Sequence, residues 1–142
     1  MAFVHGKNAA IKLDNSSGTL TDIGTISNEV SYSRKIETAE TTVFANSAKT
    51  YIVGLEDATI SIKGLFDATS VGVIDATVAA LIAGTNASAT LEFGPEGSAS
   101  GKKKYTMETI VTSWETSAPV GDVVSVTLEL QRTGSTTIAT YP

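Results

Sequence analysis

From Asp57 to Phe66 the chain alternates without interruption. Ala58, Ile60, Ile62, Gly64 and Phe66 fall on one face, and Asp57, Thr59, Ser61 and Lys63 on the other. A period of two places one face on a core and the other in water, so this stretch can only be a half-buried strand. Val123 to Thr133 repeats the pattern, with Val124, Val126, Leu128 and Leu130 turned inward and Ser125, Thr127, Glu129 and Gln131 outward. Weaker strands are expected at Ala9 to Asp14, Glu29 to Ile36 (Val30, Tyr32 and Ile36 on one face), Ala89 to Phe93 and Lys104 to Trp114.

Between these strands the period changes once. In "TSVGVIDATVAALIAGT" the residues Val71, Ile74, Val78, Leu81 and Ile82 recur at helical spacing. Thr69 or Ser70 is available as the N-cap and Gly84 as the C-terminal stop. Strands on both sides of a single helix, without strand–helix alternation, predict a mainly β protein. The expected form is an antiparallel β-sandwich or barrel with one flanking α-helix. No linker or internal repeat interrupts residues 1–142, which read as a single domain. The expected core is Ile60, Ile62, Phe66, Ile74, Val78, Leu81, Val126, Leu128 and Leu130, with the helix across a sheet face.

The residues before the first strong strand do not fit this scheme. Glu37 to Tyr51 has no period, yet it carries Val43, Phe44 and Tyr51. A long aperiodic segment in a small domain is usually functional or disordered. Permanent exposure of these side chains gains nothing, whereas burying each on a partner is worth about 1.5–3 kcal/mol. The segment therefore reads as an arm that reaches a neighbouring subunit, the alternative being a loop folded over its own sandwich to cap the core. About fifteen residues extend up to ~50 Å, or half that out and back. Deleting the arm should leave a folded monomer unable to assemble.

A search for chemistry returns little. His5 is the single histidine and the chain has no cysteine, which excludes disulfides and thiolate zinc sites. No Gly-x-Ser-x-Gly elbow accompanies His5, so it reads as a surface residue. "GSASGKKK" differs from a phosphate-binding loop in length, in Lys103 following Lys102, and in being followed by a strand. It reads as a solvated, flexible hairpin tip carrying Lys102, Lys103 and Lys104. "DNSSGTLTD" supplies Asp14, Ser16 and Asp22 but places Thr25 where a calcium loop needs a bidentate Glu. The carboxylate pairs Glu37 with Glu40 and Glu56 with Asp57 sit in no glycosidase-like pattern. Trp114 could be a sugar platform but reads better as packing. The expectation is a protein that is not an enzyme and holds no cofactor or metal.

Fifteen acidic residues against ten basic ones give a net charge of −5, the wrong sign for a protein that grips nucleic acid. The start, "MAFVHGKNAAIKL", is too broken by His5, Lys7 and Asn8 for a signal peptide, and no apolar run suits a membrane. The two sequons at Asn15 and Asn86 mean little without a secretory signal.

Three stretches carry a resemblance: "LDNSSGTLTDIG", "IETAETTVFANSAKTYIVGLEDATISIKGLFD" and "LEFGPEGSASGKKKYTMETIVTSWETSAPVGDVVSVTLELQRTG". In order and cumulative pattern the chain resembles the major tail (tail tube) proteins of long, non-contractile-tailed bacteriophages. One departure is Ala45, where glycine is expected after the phenylalanine. The resemblance implies a structural virion protein, made in the host cytoplasm, whose subunits form hexameric rings stacked into a hollow tube. It also implies a tape-measure protein and tail terminator and tip proteins as partners, with DNA passing through without tight binding and no membrane. Candidate subunit-interface residues are Val43, Phe44, Lys49, Tyr51, Lys102, Lys103 and Lys104. Two alternatives are the tube protein of a type VI secretion-like system and a carbohydrate-binding β-sandwich module.

Overall fold

The alternation of the sequence becomes burial in space. In the computed structural model, which describes residues 3–142 apart from the side chains of Thr69 and Ser70, Ala58, Ile60, Ile62 and Gly64 are buried. They belong to β4 (Tyr51–Leu65), and their partners Val126, Leu128 and Leu130 belong to β7 (Ser125–Thr140). The other described strands are β1 (Ala10–Asp14), β2 (Leu20–Asp22), β3 (Ser27–Glu40), β5 (Ala89–Gly94) and β6 (Lys103–Ser117). All seven form one antiparallel sheet in the order β2-β1-β5-β6-β7-β4-β3.

That sheet rolls up. The segment between β2 and β3 bridges its two ends: Ile23 N–H donates to Ile11 O of β1 at 3.2 Å, and Leu65 N–H of β4 donates to Ile26 O at 2.9 Å. Across the interior the Tyr32 ring of β3 lies 5.6 Å from Tyr105 of β6, which lies 6.4 Å from Phe93 of β5. The result is a barrel-like roll, as the alternation predicts. Its seam explains Gly64, a glycine on a core-facing strand position. A Cβ there would stand 2.0 Å from Ile26 O, so no side chain fits where the two ends meet.

One helix, α1 (Ala68–Ala83), closes the core. It starts earlier than expected, with Asp67 at the N-cap position and its carbonyl accepting Val71 N–H at 2.9 Å. The side chains of Thr69 and Ser70, the expected caps, lie outside the described residues. At the far end Gly84 takes φ +78°. Thr85 N–H donates to Ala80 O and Gly84 N–H donates to Leu81 O, the pair of hydrogen bonds that stops a helix on a left-handed glycine. Val71, Ile74 and Thr77 are buried beneath α1, with Val78 and Leu81 packed beside them. Two polar contacts fix the helix. Thr77 Oγ1 lies 2.6 Å from Asp14 O, and Trp114 Nε1 donates to Asp75 Oδ1 at 2.7 Å.

One core expectation, Phe66, fails, and one residue at helical spacing, Ile82, is not covered. Phe66 is partly exposed, not buried, because β4 ends at Leu65 and the alternation ends with it. Ile82 is exposed because it lies about 100° round the helix from Leu81, off the side that packs on the core. The core also takes Ile11, Leu13, Ile23, Ile26, Leu91 and Met107, several from strands too short to show a period.

Candidate assembly interface

The β4–β7 ladder runs from Leu65↔Ser125 to Thr59↔Gln131 and stops there. Past that point β7 stays with β6, bending through Gly134 at φ +83°, whereas Tyr51–Ala58 of β4 pair only with β3. The sheet forks. β3 and β4 leave the body as a two-stranded ribbon, about 25 Å long for eight residues. The segment Glu37–Tyr51, expected to be aperiodic throughout, is therefore strand up to Glu40 and from Tyr51, with only Thr41–Thr50 as its tip.

The missing period has a physical cause. Gly54 and Leu55 both face Glu37, a bulge between the pairs Ile36↔Glu56 and Thr38↔Val53. Directly opposed residues share a face, so Tyr51 and Val53 stand on the side of Glu56, and Ile52 on the other. Apolar residues thus occupy both faces. Ile36, Tyr51, Ile52, Val53 and Leu55 are all exposed, as are Val43 and Phe44 at the tip, with Phe44 wholly so. A group of exposed apolar residues of this kind makes the ribbon a candidate interaction surface. The tip itself is ordered by its threonines: Thr41 N–H donates to Thr50 O at 2.8 Å, and Thr50 N–H donates to Thr42 Oγ1 at 2.9 Å.

A polar clamp holds the fork. Glu56 Oε1 accepts Arg34 Nε and Nη2 of β3 at 2.9 and 2.6 Å, and Arg132 Nη1 of β7 at 2.9 Å. Arg132 is almost fully buried, and its Nη1 also donates to Thr136 Oγ1, which bonds the Tyr32 hydroxyl at 2.6 Å. The hydrogen bond from Arg132, and then that from Arg34, holds the Glu56 carboxyl below its ordinary range. On the opposite face Gln131 Nε2 donates to Ala58 O at 3.1 Å and to Asp57 Oδ1. Glu56 and Asp57 therefore face apart and make no acid–base pair. Sequence reasoning missed the clamp because its members lie on three different strands.

Lys49 is exposed on the tip beside Val43, Phe44 and Tyr51, so the structure brings these four expected residues onto one hairpin. The other three lie elsewhere, since β7 separates β6 from β4 in the sheet. Lys102 and Lys103 are exposed, while Lys104 is half-buried with Nζ 5.2 Å from the centre of the Tyr141 ring. The expected free tip is fastened by the C-terminal segment: Gly101 N–H donates to Tyr141 O, and Tyr141 N–H donates to Lys102 O.

The remaining motifs have local structural roles. Asn15 Oδ1 accepts Ser17 and Thr19 N–H, Asp22 Oδ1 accepts Gly24 N–H, and Asp14 Oδ2 accepts Thr90 N–H. The acids of the turn-rich loop thus bind backbone. Trp114 serves the helix contact instead of presenting a flat ring. Exposed His5 Nδ1 accepts Lys7 N–H. Among the described residues no cluster of His, Cys, Asp or Glu suits a metal, and no helix is long and apolar enough to cross a membrane.

Residues 4–137 match the family model described as phage tail tube protein. No match was found among curated proteins. Among solved structures, the chain is similar to one from the tail of an empty gene transfer agent particle with C6 symmetry (17% identity, TM-score 0.75, 96% of this chain and 99% of that one). It is similar to the SPP1 tail tube (10% identity, TM-score 0.72, 97% and 80%). It is also similar to a chain of the sheath–tube complex of an extracellular contractile injection system (11% identity, TM-score 0.70, 97% and 92%). At these identities the likenesses establish the fold.

Proposed function

This chain belongs to the phage tail tube protein family, and on that footing we propose that it is the repeating subunit of a tail tube, assembled as stacked hexameric rings. The role is structural, not catalytic. The observation that carries it is the forked sheet, which sends out a ribbon with apolar residues on both faces and nothing on its own body to cover them. Such a ribbon is finished only by neighbouring copies. The outer edge of β3, the last strand of the sheet order, gives a second unpaired surface for self-association. The C6 symmetry of the gene transfer agent tail supports six subunits per ring.

The tube conducts DNA, which a chain of net charge −5 lets pass without the counterion release that holds DNA on basic surfaces. A tape-measure protein inside the tube and terminator and tip proteins at its ends complete the tail. We assign it to a long, non-contractile tail on the resemblance of its sequence; the likeness to a sheath–tube complex makes a contractile-type tube the second reading. Imaging the particles decides between them, a bare tube supporting the first and a surrounding sheath the second. Electron microscopy of the concentrated protein tests the core proposal: long tubes of sixfold rings are expected, and protein that stays monomeric overturns it. Replacing Thr41–Thr50 with Asn-Gly keeps the Glu40↔Tyr51 register in a two-residue turn. That variant should fold as a monomer and form no tubes.

A further inference from the structure

Rings repeated along an axis meet through two different surfaces, one at each end of the subunit. The tip Thr41–Thr50 lies beyond the Tyr51 end of β4, so a surface receiving it from the next ring belongs near the Leu65 end, roughly 45 Å away along a fifteen-residue strand. That end carries an exposed apolar patch. Leu65 and Phe66, where β4 gives way to α1, lie beside the end of the β6–β7 connection: Leu65 pairs with Ser125 and Phe66 N–H donates to Val124 O at 2.9 Å, next to exposed Val123, and exposed Val120 lies on the same connection. Val120 is wholly exposed, as Phe44 is. The charges match as well. Lys49 is the single cation between residues 36 and 62, and Asp67 and Asp122 flank the patch.

We propose that Leu65, Phe66, Val120 and Val123 receive the tip of a second copy of this chain, with Val43 and Phe44 on the patch and Lys49 against Asp122. This rests on the reading of the hairpin as an assembly arm and names its partner surface. In stacked rings of one orientation the contact is head-to-tail, each subunit's arm on the next ring and its patch under the arm of the ring before. Growth then continues in one direction, as a tube requires.

Complementation separates the two halves. Phe44→Asp spoils the arm and keeps the patch; Val120→Asp spoils the patch and keeps the arm. Both positions are fully exposed, so both variants should melt like the parent. Neither alone should grow beyond a single ring in sedimentation and electron microscopy, whereas mixing rings of the two should give double rings, the intact arm of one on the intact patch of the other, that grow no further. Lys49→Asp and Asp122→Lys should each lower tube yield, and combining them in one chain should restore it. If Phe44→Asp stops growth but Val120→Asp forms normal tubes, the arm stands and this patch is refuted. If Phe44→Asp itself forms normal tubes, the arm reading falls and the proposal with it. A mixture that yields only single rings also overturns the proposal.

Discussion

The two halves of β4 obey different rules although they are one strand. From Ala58 to Gly64 every second residue is buried, and cross-strand partners on β3 and β7 cover it from both sides. From Tyr51 to Leu55 no residue is buried, one neighbouring strand is missing, and apolar side chains stand on both faces. The first half is specified by its own chain. The second has the composition of a strand buried on both sides but none of the burial, which is the ground for proposing that a neighbouring copy covers it. Exposed apolar residues on a folded monomer are informative only as a contiguous group, and here the group begins where the β4–β7 ladder ends.

The sharpest way to break the contrast is to damage the body alone. Leu128→Ala removes a fully buried side chain facing Ile62 and Trp114, and should cost about 2–5 kcal/mol in denaturant melts. Near-parental stability would mean that the roll does not depend on this layer. Gly64→Ala attacks the seam, where an added methyl meets the Ile26 carbonyl. Overpacking of this kind costs about 1–3 kcal/mol, and the loss should appear as weaker protection of Leu65 N–H in hydrogen exchange.

The clamp at the fork offers a smaller, pH-dependent test. The fold favours the charged form of Glu56. Its contribution is therefore complete above the ordinary carboxylate range and is lost as pH falls through the lower folded value. Melting temperature against pH should show an acid limb that Glu56→Gln flattens; unchanged limbs would show that the clamp carries no linkage. Smallest of all on the monomer are changes in the ribbon. Val53→Ser or Leu55→Ser should move monomer stability by no more than about 0.5 kcal/mol, yet both should reduce tube yield. A large loss of monomer stability from either would erase the contrast between the two halves.

The same contrast governs what could be read in advance. Ile60, Ile62, Leu128 and Leu130 were legible because one face of each strand meets the core and the other meets water. The helix was legible because Val71, Ile74, Val78 and Leu81 lie on one side of it and Gly84 ends it. Tyr51 to Leu55 hid the strand they form, since residues that are apolar on both faces leave no period and the Gly54–Leu55 bulge shifts what remains. β1 and β5 were visible as strands, but five and six residues are too few to announce the weight they carry in the core. The clamp was invisible because Arg132 is 76 residues from Glu56 and only folding makes them neighbours. Of the candidate site, Val43, Phe44, Lys49 and Tyr51 proved to share one hairpin, while the lysines at 102–104 were singled out by composition, and Lys104 is engaged within its own body.

The fork also decides how the subunit bears force. A pull on the ribbon travels along β4 and reaches the body at Thr59, the first of seven residue pairs shared with β7. Because the pull runs parallel to the strand, those seven pairs and the β3 ladder are loaded in shear, all together. A strand peeled sideways from a sheet edge would lose its hydrogen bonds one after another at low force. In the proposed tube, linked through such ribbons, stretching and bending would fall on the joints before any subunit unravels, placing flexibility and toughness at different points along one strand.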